Sequence, residues 1–205
     1  MKMKKKSDSQ KEFGYKLMRP FVTFKFKNKY HPVVFGKNNI PETGGIVVCG
    51  NHRHVDDQYN ALIATKRVVH MLAKDEYFKG KKEWFYRAAG CIPVDRSIHD
   101  ENAKSEAIEV LKNNEVIGIF PEGTVNRTND IILPFKYGAV SFAKKTGAYI
   151  VPFTITGKYK PFRKSIKITY GKPYKVINDL ETENEKLMNI IKNMLIKERN
   201  NVKRK

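Results

Sequence analysis

Short apolar runs alternate along this chain with stretches whose apolar residues recur at helical spacing. Val33-Val34-Phe35, Ile46-Val47-Val48-Cys49 and the runs at 68–72, 116–120, 149–156 and 166–170 have the length of buried strands. Between them, residues 58–65, 83–89, 102–112 and 137–145 read as helices, the third with Ala103, Ala107, Ile108 and Leu111 on one side. A C-terminal helix is expected to start with a capping box from Thr182 to Glu185 and to bury Leu187, Ile190, Ile191, Met194 and Leu195. Strands alternating with helices predict an α/β fold: a single layered domain over 31–205, with a mostly parallel central sheet flanked by helices.

A different pattern precedes that domain. Residues 1–12 read as a polar, basic tail without regular structure. Phe13, Leu17, Phe21 and Phe24 then recur at spacings of four, four and three, forming one face of a short amphipathic helix that Pro20 is expected to kink or divide. Residues 1–30 hold ten Lys/Arg against two acids. Two accounts fit this segment: an element that binds an anionic membrane surface, or a helix packed on the domain with its basic residues outward.

The length of 205 residues supports one domain with a real core. The formal net charge of +19 favours anionic partners, whether membrane, phosphorylated substrate or nucleic acid, although part of it is also explained as solvated surface. Two cysteines do not make a disulfide framework. No apolar run approaches the ~20 residues needed to cross a bilayer, and no signal peptide is visible, so the expectation is a cytosolic or peripheral protein with no transmembrane helix.

Two polar clusters follow strand ends, where ligands bind in parallel sheets. The first, Asn51-His52-Arg53-His54-Val55-Asp56-Asp57, offers a histidine base and carboxylates to orient it. The second, Phe120-Pro121-Glu122-Gly123-Thr124 with Arg127 behind it, offers a carboxylate, small residues and a cation. Two other chemistries use the same letters. His52-x-His54-x-Asp56-Asp57 resembles a metallo-β-lactamase motif, but Asp57 stands where that family has a histidine and no histidine lies in the last 106 residues, so metal ligands run short. A Cys49 nucleophile is disfavoured by its place at the end of an apolar strand, without a cationic neighbour.

Four motifs occur in order with sensible gaps: Asn51-His52-x-x-x-x-Asp57, Gly90-x-Ile92-Pro93-Val94-Asp95-Arg96, Phe120-Pro121-Glu122-Gly123-Thr124 and Val151-Pro152-Phe153. On these the chain resembles the glycerolipid acyltransferases, in particular bacterial 1-acyl-sn-glycerol-3-phosphate acyltransferases. The resemblance implies transfer of a fatty acyl group from a thioester, on acyl-carrier protein or coenzyme A, to 1-acylglycerol 3-phosphate, with no metal or cofactor. It makes His52 the general base and Asp57 its partner. It assigns Arg96 to the acceptor phosphate or glycerol, Glu122, Gly123 and Thr124 to the acceptor pocket, and Val151 and Pro152 to the acyl-chain path. Many family members have Arg after Glu-Gly-Thr; here Val125 stands there, leaving Arg127, with Lys74 as a second cation. His54 replaces a residue that is commonly small in the family. The implied setting is peripheral, on the cytoplasmic side of the cell membrane. Another acceptor (glycerol 3-phosphate or another lysolipid) and a non-catalytic basic protein binding membrane or nucleic acid are the alternatives. Residues 131–178, with ten Lys/Arg and no acid, keep the nucleic-acid alternative in view, though no motif supports it.

Overall fold

The computed structural model describes residues 2–203, with side chains described for 13–200. The elements in chain order are α1 (Lys2–Tyr30), β1 (Val33–Phe35), β2 (Ile46–Gly50), α2 (Gln58–Ala64), β3 (Val69–Lys74), α3 (Glu83–Ala88), β4 (Ile92–Val94), α4 (Glu101–Lys112), β5 (Val116–Ile119), α5 (Gly138–Thr146), β6 (Tyr149–Gly157), β7 (Ile166–Tyr170), β8 (Tyr174–Lys175) and α6 (Leu180–Lys203). The strands form one sheet in the order β1-β7-β6-β2-β5-β3-β4, with β8 also paired to β6. From β6 to β4 every pairing is parallel, while β7 and β8 run antiparallel to β6. The carboxyl ends of β2, β3, β4 and β5 therefore share one edge.

Successive strand side chains point to opposite faces, and both faces are buried. In β2, Ile46 and Val48 join a cluster completed by Ala61 and Ile63 of α2 and by Tyr15, Phe26 and Tyr30 of α1. Val47 and Cys49 join the opposite cluster with residues of α4, α5 and α6. Burial on both faces explains why β2 reads as a continuous apolar run rather than an alternating one. Two strands escaped the sequence reading. Both are short, and β4 contains Pro93, which an edge strand tolerates because β3 is its one partner among the described residues.

Three expectations change. The segment read as a polar tail belongs to α1, which begins at Lys2 and passes through Pro20 without dividing. Packing on both sides of the proline, by Tyr15 before it and Phe26 and Tyr30 after it, holds the helix together. Arg19 adds a tie by donating to the Leu62 and Thr65 carbonyls at the end of α2. The face that packs is not the Phe13-Leu17-Phe21-Phe24 stripe. Phe13, Leu17, Phe21 and Phe24 are 60–70% exposed, because the helix carries aromatics on two faces and the other one meets the core. Last, α6 is capped by Asp179, whose carboxylate accepts from the Thr182 N–H and hydroxyl, one turn ahead of the expected Thr182 cap. Leu187, Ile191 and Leu195 are buried as expected, with Ile190 and Met194 half-buried.

Candidate active site

The chain leaves β2 at Gly50, and Asn51 continues the sheet with its side chain. Its buried amide accepts from the Ile155 N–H (2.8 Å) and donates to the Ile155 carbonyl (3.1 Å), in place of a backbone ladder. The next residues turn through a short 3₁₀ segment at Val55–Asp57, capped by His54, whose Nδ1 accepts from the Asp56 N–H. That turn brings Asp57 back under His52.

His52 Nδ1 lies 3.0 Å from Asp57 Oδ2. The same oxygen accepts the N–H groups of Arg53 (2.6 Å) and His54 (2.7 Å), and Asp57 Oδ1 accepts the Tyr159 hydroxyl (2.6 Å). Asp57 is 0% exposed, and four donors compensate the loss of water. With Nδ1 donating to the carboxylate, Nε2 holds the free lone pair. The imidazole stacks on Phe120, with centroids 4.1 Å apart, and lines a cleft of about 430 Å³. A histidine so held has its tautomer set and one nitrogen presented to the cleft.

The second cluster supports the first from behind. Glu122 is buried; one oxygen accepts the His52 N–H (2.7 Å), the other the Leu133 N–H (2.8 Å). Burial raises its carboxyl above the usual range, and these two N–H bonds pull the other way. The Asn126 N–H donates to the His52 carbonyl (2.7 Å), so both backbone groups of His52 are held by the 120–126 segment. Glu122 is thus a buckle between the loop that carries His52 and the segment that carries Leu133. Glu122→Gln is expected to set an amide N–H₂ against a backbone donor. A buried group left unsatisfied costs about 1–3 kcal/mol. Thermal unfolding should show that loss and turnover should fall with it; unchanged stability and rate would mean that the buckle is dispensable.

The other residues read from sequence separate. Arg96 and Gly123 line the cleft, and Arg96 Nη1 donates to the Gly123 carbonyl (2.7 Å). Gly123 has φ +70°, which favours glycine, and an added Cβ would also meet Lys136. Thr124 and Arg127 are exposed and are not among the residues lining the cleft. Lys74 is also outside that lining; it pairs with Glu76 (2.5 Å). Val151 is fully buried in the core. Cys49 is buried, and burial pushes its thiol well up, which does not suit a nucleophile.

Two residues that the sequence reading missed meet this site. Lys136 lines the cleft beside Gly123 and is held there by its own N–H, which donates to the Pro121 carbonyl (2.8 Å). Tyr159 closes the far side of Asp57, accepts from the Asn60 amide (2.9 Å) and stacks on His54. Burial, with Asp57 beside it, raises its phenol strongly. Neither had a local signal beyond belonging to the long basic stretch.

A carboxylate-held histidine at the carboxyl edge of a parallel sheet, facing a cleft with cations, fits group transfer, and comparison with known proteins defines the class. The profile of the Acyltransferase family matches residues 31–156, and the chain belongs to this family of enzymes. Relatives include the 1-acyl-sn-glycerol-3-phosphate acyltransferases of Bacillus subtilis (strain 168) and Borreliella burgdorferi. The first is 32% identical over 148 residues, covering 68% of this chain and 72% of the relative. The second is 31% identical over 182 residues, covering 83% and 72%. The crystal structure of the 1-acyl-sn-glycerophosphate acyltransferase from Thermotoga maritima shares the fold, with a TM-score of 0.72, 23% identity, and coverage of 90% of this chain and 78% of that one.

Proposed function

We propose that this acyltransferase moves a fatty acyl group from a thioester to the free hydroxyl of 1-acylglycerol 3-phosphate, forming phosphatidate without a metal or other cofactor. The observation that carries the reading is His52, oriented by buried Asp57 and opening on a cleft that also holds Arg96 and Lys136. Nε2 of His52 takes the hydroxyl proton as the oxygen attacks the thioester carbonyl. The tetrahedral intermediate collapses, the carbon–sulfur bond breaks, and the departing thiolate receives that proton from the imidazolium. Asp57 stabilises the imidazolium between the two transfers. The names of the relatives support this acceptor, and the cleft supports its chemistry: Phe120, Ile98 and Phe142 give apolar wall, and cations stand nearby. The N-terminus of α5 also opens there, through Gly138 and Ser141, adding positive potential.

The acceptor phosphate is bound by Arg96 and Lys136, with Lys136 taking the place expected of Arg127. Lys104, the other cation of the lining, is already paired with Glu101 (3.0 Å). Lys136→Ala and Arg96→Ala are each expected to raise KM for the phosphorylated acceptor about ten- to a hundredfold. A charge-assisted contact is worth roughly 1.5–3 kcal/mol. KM for the thioester should move little, and Arg127→Ala should change neither constant. An acceptor KM that follows Arg127 instead would return the phosphate to the sequence-based assignment.

The enzyme works as a peripheral protein on the anionic, cytoplasmic face of the cell membrane. Among the described residues no helix is long and apolar enough to cross a membrane. The exposed stripe Phe13, Leu17, Phe21, Phe24 with Lys25 over the Phe21 ring supports a helix lying on a lipid surface. The deciding assay sets purified protein and both thioester donors against glycerol 3-phosphate, 1-acylglycerol 3-phosphate and unphosphorylated lysolipids. Transfer is expected with 1-acylglycerol 3-phosphate as the preferred acceptor; preference for an unphosphorylated acceptor would overturn the reading.

A further inference from the structure

The loop between β6 and β7, residues 158–165, reads Lys-Tyr-Lys-Pro-Phe-Arg-Lys-Ser and contains four cations and no acid. Lys158, Lys160, Arg163 and Lys164 are exposed. At its tip Phe162 is 78% exposed, the most exposed large apolar side chain among the described residues. Its backbone is left-handed, with φ 59°, a conformation that a bulky residue adopts only when the surroundings enforce it. The enforcement is visible. The Phe162 N–H donates to the Lys29 carbonyl at the end of α1, a carbonyl that the helix itself leaves unsatisfied. The Lys158 N–H donates to the Ser165 carbonyl, and the Lys160 N–H to the Ser165 hydroxyl. A large apolar ring is thus held out into water by a braced loop, ringed by positive charge.

We infer that this loop is a second lipid contact, in which Phe162 enters the headgroup region of an anionic bilayer while the four cations meet lipid phosphates. The inference rests on the membrane reading above and adds a surface to it. Charge without an acid selects an anionic partner, and a protruding phenyl ring selects one with an apolar interior. Solvated phosphate alone offers no place for that ring. The loop is tied at Lys29 to the helix that bears the exposed stripe, and through Tyr159 to Asp57. The proposed contact surface therefore adjoins the His52–Asp57 pair through Tyr159.

The test is co-sedimentation of the full chain with phosphatidylcholine vesicles, with and without phosphatidylglycerol, at two salt concentrations. Three variants are compared: Phe162→Asn, which suits the left-handed backbone; Lys160→Gln with Arg163→Gln and Lys164→Gln; and Leu17→Ser with Phe21→Ser and Phe24→Ser in the stripe. Removing three cations should weaken binding to anionic vesicles about a hundredfold at low salt, at roughly fivefold per charge, and the deficit should shrink as salt rises. Phe162→Asn should weaken binding about tenfold at both salts. All the substituted side chains are exposed or half-exposed, so melting temperatures should stay unchanged. Wild-type protein that fails to sediment would overturn the membrane reading and this inference together. Loop variants that bind like wild type, while the stripe variant does not, would overturn the loop alone. So would unchanged vesicle binding with slower transfer from acyl-carrier protein, since the loop would then serve an acidic protein.

Discussion

His52→Ala is expected to lower kcat by about two to four powers of ten, the usual worth of a positioned general base, while the protein stays folded. The second half of that expectation follows from how the residue is held. Its backbone N–H and carbonyl are engaged by Glu122 and Asn126, and neither bond involves the ring. Asp57 loses one donor and keeps three, from Arg53, His54 and Tyr159, so no buried charge is stranded. The chief loss is the stack on Phe120 at the cleft wall. Single-turnover rates beside a thermal melt make the measurement. A variant within tenfold of wild type would remove His52 from the chemistry, and with it the proposed mechanism.

Asp57→Asn is expected to be comparably severe, about two to four powers of ten in turnover, with a smaller effect on stability. The amide oxygen can occupy the place of Oδ2 and keep three donors. Its N–H₂ then faces the Tyr159 oxygen, which already accepts from Asn60. What disappears is the negative charge that stabilises the imidazolium. Asp56→Asn should cost less than tenfold. Asp56 accepts the Tyr30 hydroxyl (2.6 Å), lies 3.9 Å from Lys29 and makes no bond to His52. Similar losses from both substitutions would mean that the pair acts as a charge cluster rather than through one oriented bond.

The comparison of these two carboxylates shows where sequence reading stops. The motif register of the family that the chain resembles points to Asp57, and the structure closes that pair. The reason is local: only Arg53 to Asp56 intervene, and a single 3₁₀ turn capped by His54 sets the geometry. The strands were legible for a similarly simple reason. Parallel strands buried on both faces must be apolar throughout, and the runs at β2, β5 and β6 stand out against a chain with 30% charged residues. The aromatic stripe on α1 was visible as a pattern, yet its direction was not. Tyr15, Phe26 and Tyr30 form a second apolar face, and periodicity cannot say which of two faces a sheet will cover.

By itself the sequence determined the α/β class and the order of most elements; His52, Asp57 and Arg96 came from the motif register of the family that the chain resembles, and the His52–Asp57 pair closes because its residues are close in the chain. Tertiary structure alone decided that Glu122 supports His52 from 70 residues away, that Tyr159 holds Asp57 from 102, and that Lys136 rather than Arg127 stands in the cleft. These contacts come from loops gathered at one edge of the sheet by the order of its strands. That order is set by which faces pack together, and no short stretch of residues encodes it.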